Sequence, residues 1–131
     1  MHRFVTKIYG LTTALILFFL SGTCLAAENW HFVDADGFTG YYVDVGTINF
    51  EDNERVNAKT AVIKANQNRM YVYTMHFDRA NATYQTLYSE IRAYDTKEVL
   101  TVNREAQPPH PYGLASPMGA IVSYIYEYSK R

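Results

Sequence analysis

The 131-residue sequence contains a single cysteine, Cys24, and it lies in an N-terminal stretch that reads as removable. Beyond that stretch there is no thiol for a disulfide, a nucleophile or a thiolate metal site. Excess charge is missing too. The 12 basic and 13 acidic residues nearly cancel, and no basic stripe is present for a phosphate backbone or an anionic lipid surface. No apolar run reaches the roughly 20 residues needed to cross a bilayer. The chain has no glycine-rich phosphate loop, no serine in a nucleophile-elbow pattern and no internal repeat. These absences argue against nucleic-acid binding, membrane spanning and the common hydrolytic chemistries.

What is present begins with an export pattern. Arg3 and Lys7 form a short basic region, and an apolar run from Leu11 to Leu20 follows, broken only by Thr12 and Thr13. Small residues then run from Ser21 to Ala27, and cleavage after Ala26 would place Cys24 and Ala26 where a signal peptidase selects small side chains. Residues 1–26 are therefore expected to be a signal peptide and residues 27–131 one domain, exported to the periplasm or cell surface, with no transmembrane span after processing. Lipid anchoring at Cys24 is disfavoured. Such a signal puts a large aliphatic residue three places before the cysteine and Gly, Ala or Ser directly before it, whereas Ser21 and Thr23 stand there.

Losing Arg3 and Lys7 leaves 10 basic and 13 acidic residues, a net charge of −3. A domain this small often relies on disulfides outside the cytoplasm. Without them stability must come from packing, and the 12 Tyr, 7 Phe and one Trp of the chain are the natural source.

Most of the remaining chain alternates with the period of half-buried strands. The pattern predicts strands at Trp30–Val33, Tyr41–Val45 with a brief continuation at Ile48–Phe50, Val56–Lys64, Met70–Phe77, Tyr84–Ala93 and Val99–Arg104. Gly46 separates the two parts of the second strand, and Asn66-Gln67-Asn68 and Asp78–Ala82 read as turns. In the fourth strand Tyr71, Tyr73, Met75 and Phe77 share one face and Met70, Val72, Thr74 and His76 the other. Short connections favour antiparallel meander pairing. Gln107–Gly113 is a proline-rich extended connector. The last segment is ambiguous: Ser116-Pro117 starts a helix well, whereas its β-branched and aromatic content suits a strand.

The ordered landmarks resemble a known family. Trp30 opens the domain, Tyr42-Val43-Asp44-Val45-Gly46-Thr47-Ile48 matches a Tyr-Val-Asp-x-x-Ser/Thr-Ile element, Tyr94-Asp95 and Val99-Leu100 follow, and Pro111 and Ser116 precede the terminal apolar segment. This is similar to the surface-adhesin protein E-like domain family of bacterial envelope proteins. The resemblance implies an α+β fold, an antiparallel sheet of about six strands in meander order with one C-terminal helix packed on a face. It favours a terminal helix over Pro117–Tyr128. Trp30, Tyr42, Asp44, Thr47, Ser116 and Pro117 are expected to have structural roles. The family commonly carries two cysteines clipping sheet to helix. This chain lacks them, with Asp78 near the first place and Tyr128 or Ser129 near the second.

Candidate sites are few. His31, His76 and His110, with Asp34, Asp36, Asp44 and Asp78, lack the close spacing of a zinc site, and no cofactor is expected. Asp34-Ala35-Asp36-Gly37 begins like a calcium loop, but its twelfth position is Val45. Glu51-Asp52 and Glu54 read as solvated turn charge, and Asn81-Ala82-Thr83 as a polar turn. Asp44 interrupts an apolar strand, and its carboxylate is expected to accept backbone or Thr47 hydroxyl hydrogen bonds that fix the bend at Gly46.

Tyr71 and Tyr73 either belong to the core or continue into a partner surface, since tyrosine gives rigid contact area with a polar tip. If the helix covers one face, tyrosines on the other admit a homodimer. Arg69, Arg79, Arg92 and Lys97, at strand ends and turns, are candidates for contacts with an acidic partner. The expectation is a non-enzymatic binding module, adhesin-like, contacting a host matrix protein or another envelope component. The alternative is a periplasmic structural or assembly factor with no host-binding activity.

Overall fold

Alternation of apolar side chains along successive segments produces strands, and the short polar turns between them leave neighbours no choice but to pair antiparallel. The computed structural model describes residues 27–130, so the expected signal peptide and its cleavage site lie outside the described residues. The strands are β1 (Trp30–Asp36), β2 (Thr39–Phe50), β3 (Arg55–Lys64), β4 (Arg69–Asp78), β5 (Thr83–Ala93), β6 (Val99–Asn103) and β7 (His110–Pro111). Their spatial order is β1-β2-β3-β4-β5-β6, each pair antiparallel, and β7 pairs the far end of β5. One helix, α1 (Pro117–Ser129), follows. The meander of six strands with a terminal helix agrees with the expected α+β architecture.

Turn chemistry explains where each strand stops. Gly37 sits at a φ of 61°, the left-handed region that a hairpin's first turn residue requires. Asn68 adopts the same region at φ 53°, and its side-chain oxygen accepts from Asp95 N at 2.9 Å. Between β2 and β3 the Asp52 carboxylate accepts from Glu54 N and Arg55 N at 2.9 and 2.8 Å. Asp78 closes the β4–β5 turn through Asn81.

Three features differ from the sequence expectation, the first being that β1 continues through Asp34 and Ala35 to Asp36 instead of turning after Val33. β2 runs unbroken through Gly46, with the register shift against β3 absorbed between Asp44 and Asn49. The proline-rich connector is also more than a spacer. His110 and Pro111 pair with Tyr84 and Thr83, and Tyr112 enters the core. Proline is tolerated there because β7 lies at a sheet edge, where its missing N–H leaves no ladder bond unmade.

The helix starts as Ser116-Pro117 suggests. Ser116 Oγ accepts from Gly119 N at 3.1 Å, and Pro117 takes a first-turn position whose N–H has no helical partner anyway. Ile121, Val122 and Ile125 are buried against Val43, Val45, Val56, Ala58, Met75 and Phe77. This is the face of the sheet that carries Tyr71 and Tyr73. The opposite face buries a second cluster, Ala61, Met70 and Val72, beneath Trp30, Tyr42, Ile63 and Tyr94. β4 is thus apolar on both faces because each buries part of its length, Met75 and Phe77 beneath the helix and Met70 and Val72 in the second cluster.

Candidate functional site

The helix is shorter than the face it covers, and this sets the candidate site. Strand parity places Tyr41 on β2, Thr60 and Val62 on β3, Tyr73 and Met75 on β4 and Tyr84 and Thr86 on β5 on the same side of the sheet. The start of α1 contributes Pro117, Met118 and Ile121 as a wall. Together these residues enclose a cavity of about 280 Å³. It opens onto a shallower depression lined by Thr39, Tyr41, Val62, Lys64, Tyr71 and Tyr73. The two share Tyr41, Val62 and Tyr73 and form one trough along the uncovered half of the face.

The trough is apolar at its floor and polar at its rims. Thr60 is buried and donates to Met75 Sδ at 3.2 Å, so its hydroxyl is engaged below the surface. Burial, aided by the neighbouring Tyr71 and Tyr84, raises the Tyr73 phenol above its ordinary pKa of 10.0. That hydroxyl therefore stays protonated and available as a donor at any physiological pH. Lys64 Nζ lies 5.8 Å from the Tyr71 ring centroid and puts one positive charge at the open end. Such a surface can hold apolar or aromatic groups and satisfy their accompanying carbonyls.

The structure brings Tyr71 and Tyr73 together here and disperses the four candidate cations. Arg92 is buried on the opposite face, where its guanidinium donates to Glu28 Oε1 and Oε2 and to Glu90 Oε1, each at 2.7 Å. Near the end of β5, opposite the buried Met70, the guanidinium is largely withdrawn from water, and a cation buried there requires internal carboxylates. Arg79 pairs with Glu54 at 3.3 Å and stacks 3.8 Å above the Tyr126 ring. Arg69 donates to Asn68 O, and Lys97 donates to Tyr94 O while lying over its ring.

The remaining sequence-level candidates are structural in placement. Asp44 is buried, and its Oδ1 accepts from Asn29 N and Gly46 N, both at 3.1 Å. The Thr47 hydroxyl goes elsewhere, donating to the Asp44 carbonyl at 2.7 Å and accepting from Lys59 N at 2.8 Å. Trp30 roofs the second cluster with Lys59 Nζ 5.8 Å from its ring, and Tyr42 meets Phe32 edge to face. The histidines stay apart. His31 Nδ1 is 2.9 Å from Tyr124 Oη, His76 Nδ1 is 2.7 Å from Asn57 Oδ1, and His110 lies beside Tyr84. Among the described residues no group of three or more His, Cys, Asp or Glu could hold a metal ion.

Sequence reasoning missed Tyr41 and Tyr84 as trough residues and Glu28 as a tie to Arg92. The parity of Tyr41 within β2 was readable, but its register against β3 and β4 was not. Glu28 had no local signal. No protein family, no curated protein and no solved structure matches the chain.

Proposed function

We propose that this chain is a non-enzymatic binding module of the bacterial envelope, exported and adhesin-like in the manner of the surface-adhesin protein E-like domains. It holds a protein partner in the tyrosine-lined trough. The observation that carries the reading is the trough itself: apolar surface left open beside a helix that covers the rest of the same face. Surface of this kind, with aromatic walls and hydroxyl rims, is suited to anchoring a few side chains of a partner.

The test is binding to immobilised matrix proteins and to envelope extracts, with Tyr41→Ala and Tyr73→Ala as variants. The double variant is expected to weaken capture at least tenfold while keeping a cooperative melt. Undiminished capture by a folded double variant would refute the trough.

The cavity's modest size, enough for one or two side chains, favours a second reading: a periplasmic factor that grips a short segment of another envelope component. Protease shaving of intact cells separates the two, since a surface protein is cut and a periplasmic one is spared.

A further inference from the structure

Four tyrosines stand around the trough: Tyr41 on β2, Tyr71 and Tyr73 on β4, and Tyr84 on β5. None of the four hydroxyls bonds within the chain, yet none is shut away. Among the described residues the buried side-chain polar atoms without a partner are Arg92 Nε and Tyr126 Oη, both elsewhere. The trough therefore offers four phenol protons to whatever lies in it. Acceptors are scarce beside them. No carboxylate and no carboxamide lines either part of the trough, and the Thr60 hydroxyl is engaged by Met75. Such a lining disfavours a glycan, whose hydroxyls each bring a proton that needs an acceptor. It also disfavours a helix, whose carbonyls are already bonded along its axis.

We infer that the trough takes a proline-rich segment of its partner in the polyproline II conformation, with an acidic residue beside Lys64. The inference rests on the reading of the trough as a protein-binding surface. A polyproline II segment has no internal hydrogen bonds, so its carbonyls are free to accept, and proline brings no N–H in need of a partner. Its rings suit aromatic walls, and its fixed φ lowers the entropy cost of ordering. The dimensions agree. Tyr84 pairs with Phe77, six positions along β4 from Tyr71, so the tyrosines extend over about 20 Å at a strand rise of about 3.3 Å. About six or seven residues of polyproline II cover the same distance at about 3.1 Å each. Charge supplies the last feature. Lys64, at the open end, lies over the Tyr71 ring, has no ion-pair partner among the described residues, and meets no acidic side chain in the trough.

Titration of the purified exported protein with synthetic peptides, followed by amide NMR shifts, tests this. The probe is a run of six prolines with an aspartate at each end. It is expected to bind saturably and to move the amides of Tyr41, Val62 and Tyr73, whereas a peptide with alanines in place of the prolines binds at least tenfold more weakly. Tyr41→Phe combined with Tyr73→Phe keeps both rings and removes two donors, so affinity should fall by about fivefold. Lysines in place of the aspartates should weaken binding by about threefold, and Lys64→Glu should invert that preference. Failure of the proline peptide to bind, equal binding of the alanine peptide, or shifts confined to residues outside the trough each overturns the inference. The wider reading is judged apart, by capture with the Tyr41→Ala, Tyr73→Ala variant. If that capture is lost while no proline peptide binds, the trough stands and its occupant is of another kind.

Discussion

At the scale of single residues, two carboxylates secure the start of the domain. Asp44 binds the backbone N–H of Asn29 and of Gly46, so it joins the entering chain to the irregular stretch of β2. Replacing it with alanine leaves two donors without their acceptor, at a cost of about 1–3 kcal/mol. Asp44→Ala is therefore expected to lower the melting temperature by several degrees in thermal denaturation followed by circular dichroism. Glu28 acts through charge. Its hydrogen bonds with the Arg92 guanidinium, reinforced by Lys59 and opposed by partial burial, lower its carboxyl from an ordinary 4.5 to about 2. A depressed folded-state value means the stabilisation is fully present above about pH 4.5 and is lost as the pH falls towards 2. Glu28→Gln should then melt earlier than the parent at pH 7, and the two melting curves should converge near pH 2.

Arg92 shows where the sequence was readable and where it was not. Its neighbours Ile91 and Ala93 announce a strand, and alternation correctly placed that strand. Nothing local says that the residue opposite is the buried Met70, or that Glu28, 64 positions earlier, supplies the counter-charge. Turns and hairpin order are written in contiguous residues, so they were legible. Burial of a cation depends on register and on a distant segment, so it was not.

At the scale of elements, the junction between loop and helix leaves no room for a side chain at Gly119. Gly119 is buried, and a Cβ placed there would lie 2.5 Å from Gly113 O, against backbone that cannot swing aside. In an open helix Gly→Ala is stabilising by about 1 kcal/mol. Here the sign should reverse, and Gly119→Ala is expected to destabilise, as read by a lower denaturation midpoint in urea. The helix itself was undecided from its own residues, since Val122, Tyr124, Tyr126 and Tyr128 satisfy strand spacing as well. Tertiary context resolves it. Ile121, Val122 and Ile125 are the residues that meet the sheet, and they share a helical face rather than a strand face. The trough was only half legible for a related reason. Tyr71 and Tyr73 stood out by composition, whereas Tyr41, Tyr84 and Pro117 join them only once strands and helix are assembled.

At the scale of the whole molecule, the order of the chain in space follows its order in sequence until the very end. Each hairpin can close as soon as its second strand is made, but the face bearing Val43, Val56, Met75 and Phe77 has no lid until residues 117–129 arrive. A nascent chain therefore presents a finished, greasy platform to its surroundings for as long as synthesis of the last segment takes, and species of that kind are prone to clump. A chain stopped at Ala115 is expected to bind a hydrophobic dye strongly and to precipitate on concentration, while the full-length protein does neither. Whatever attends the folding of this polypeptide has to keep that platform out of trouble until the final turn of helix is in place.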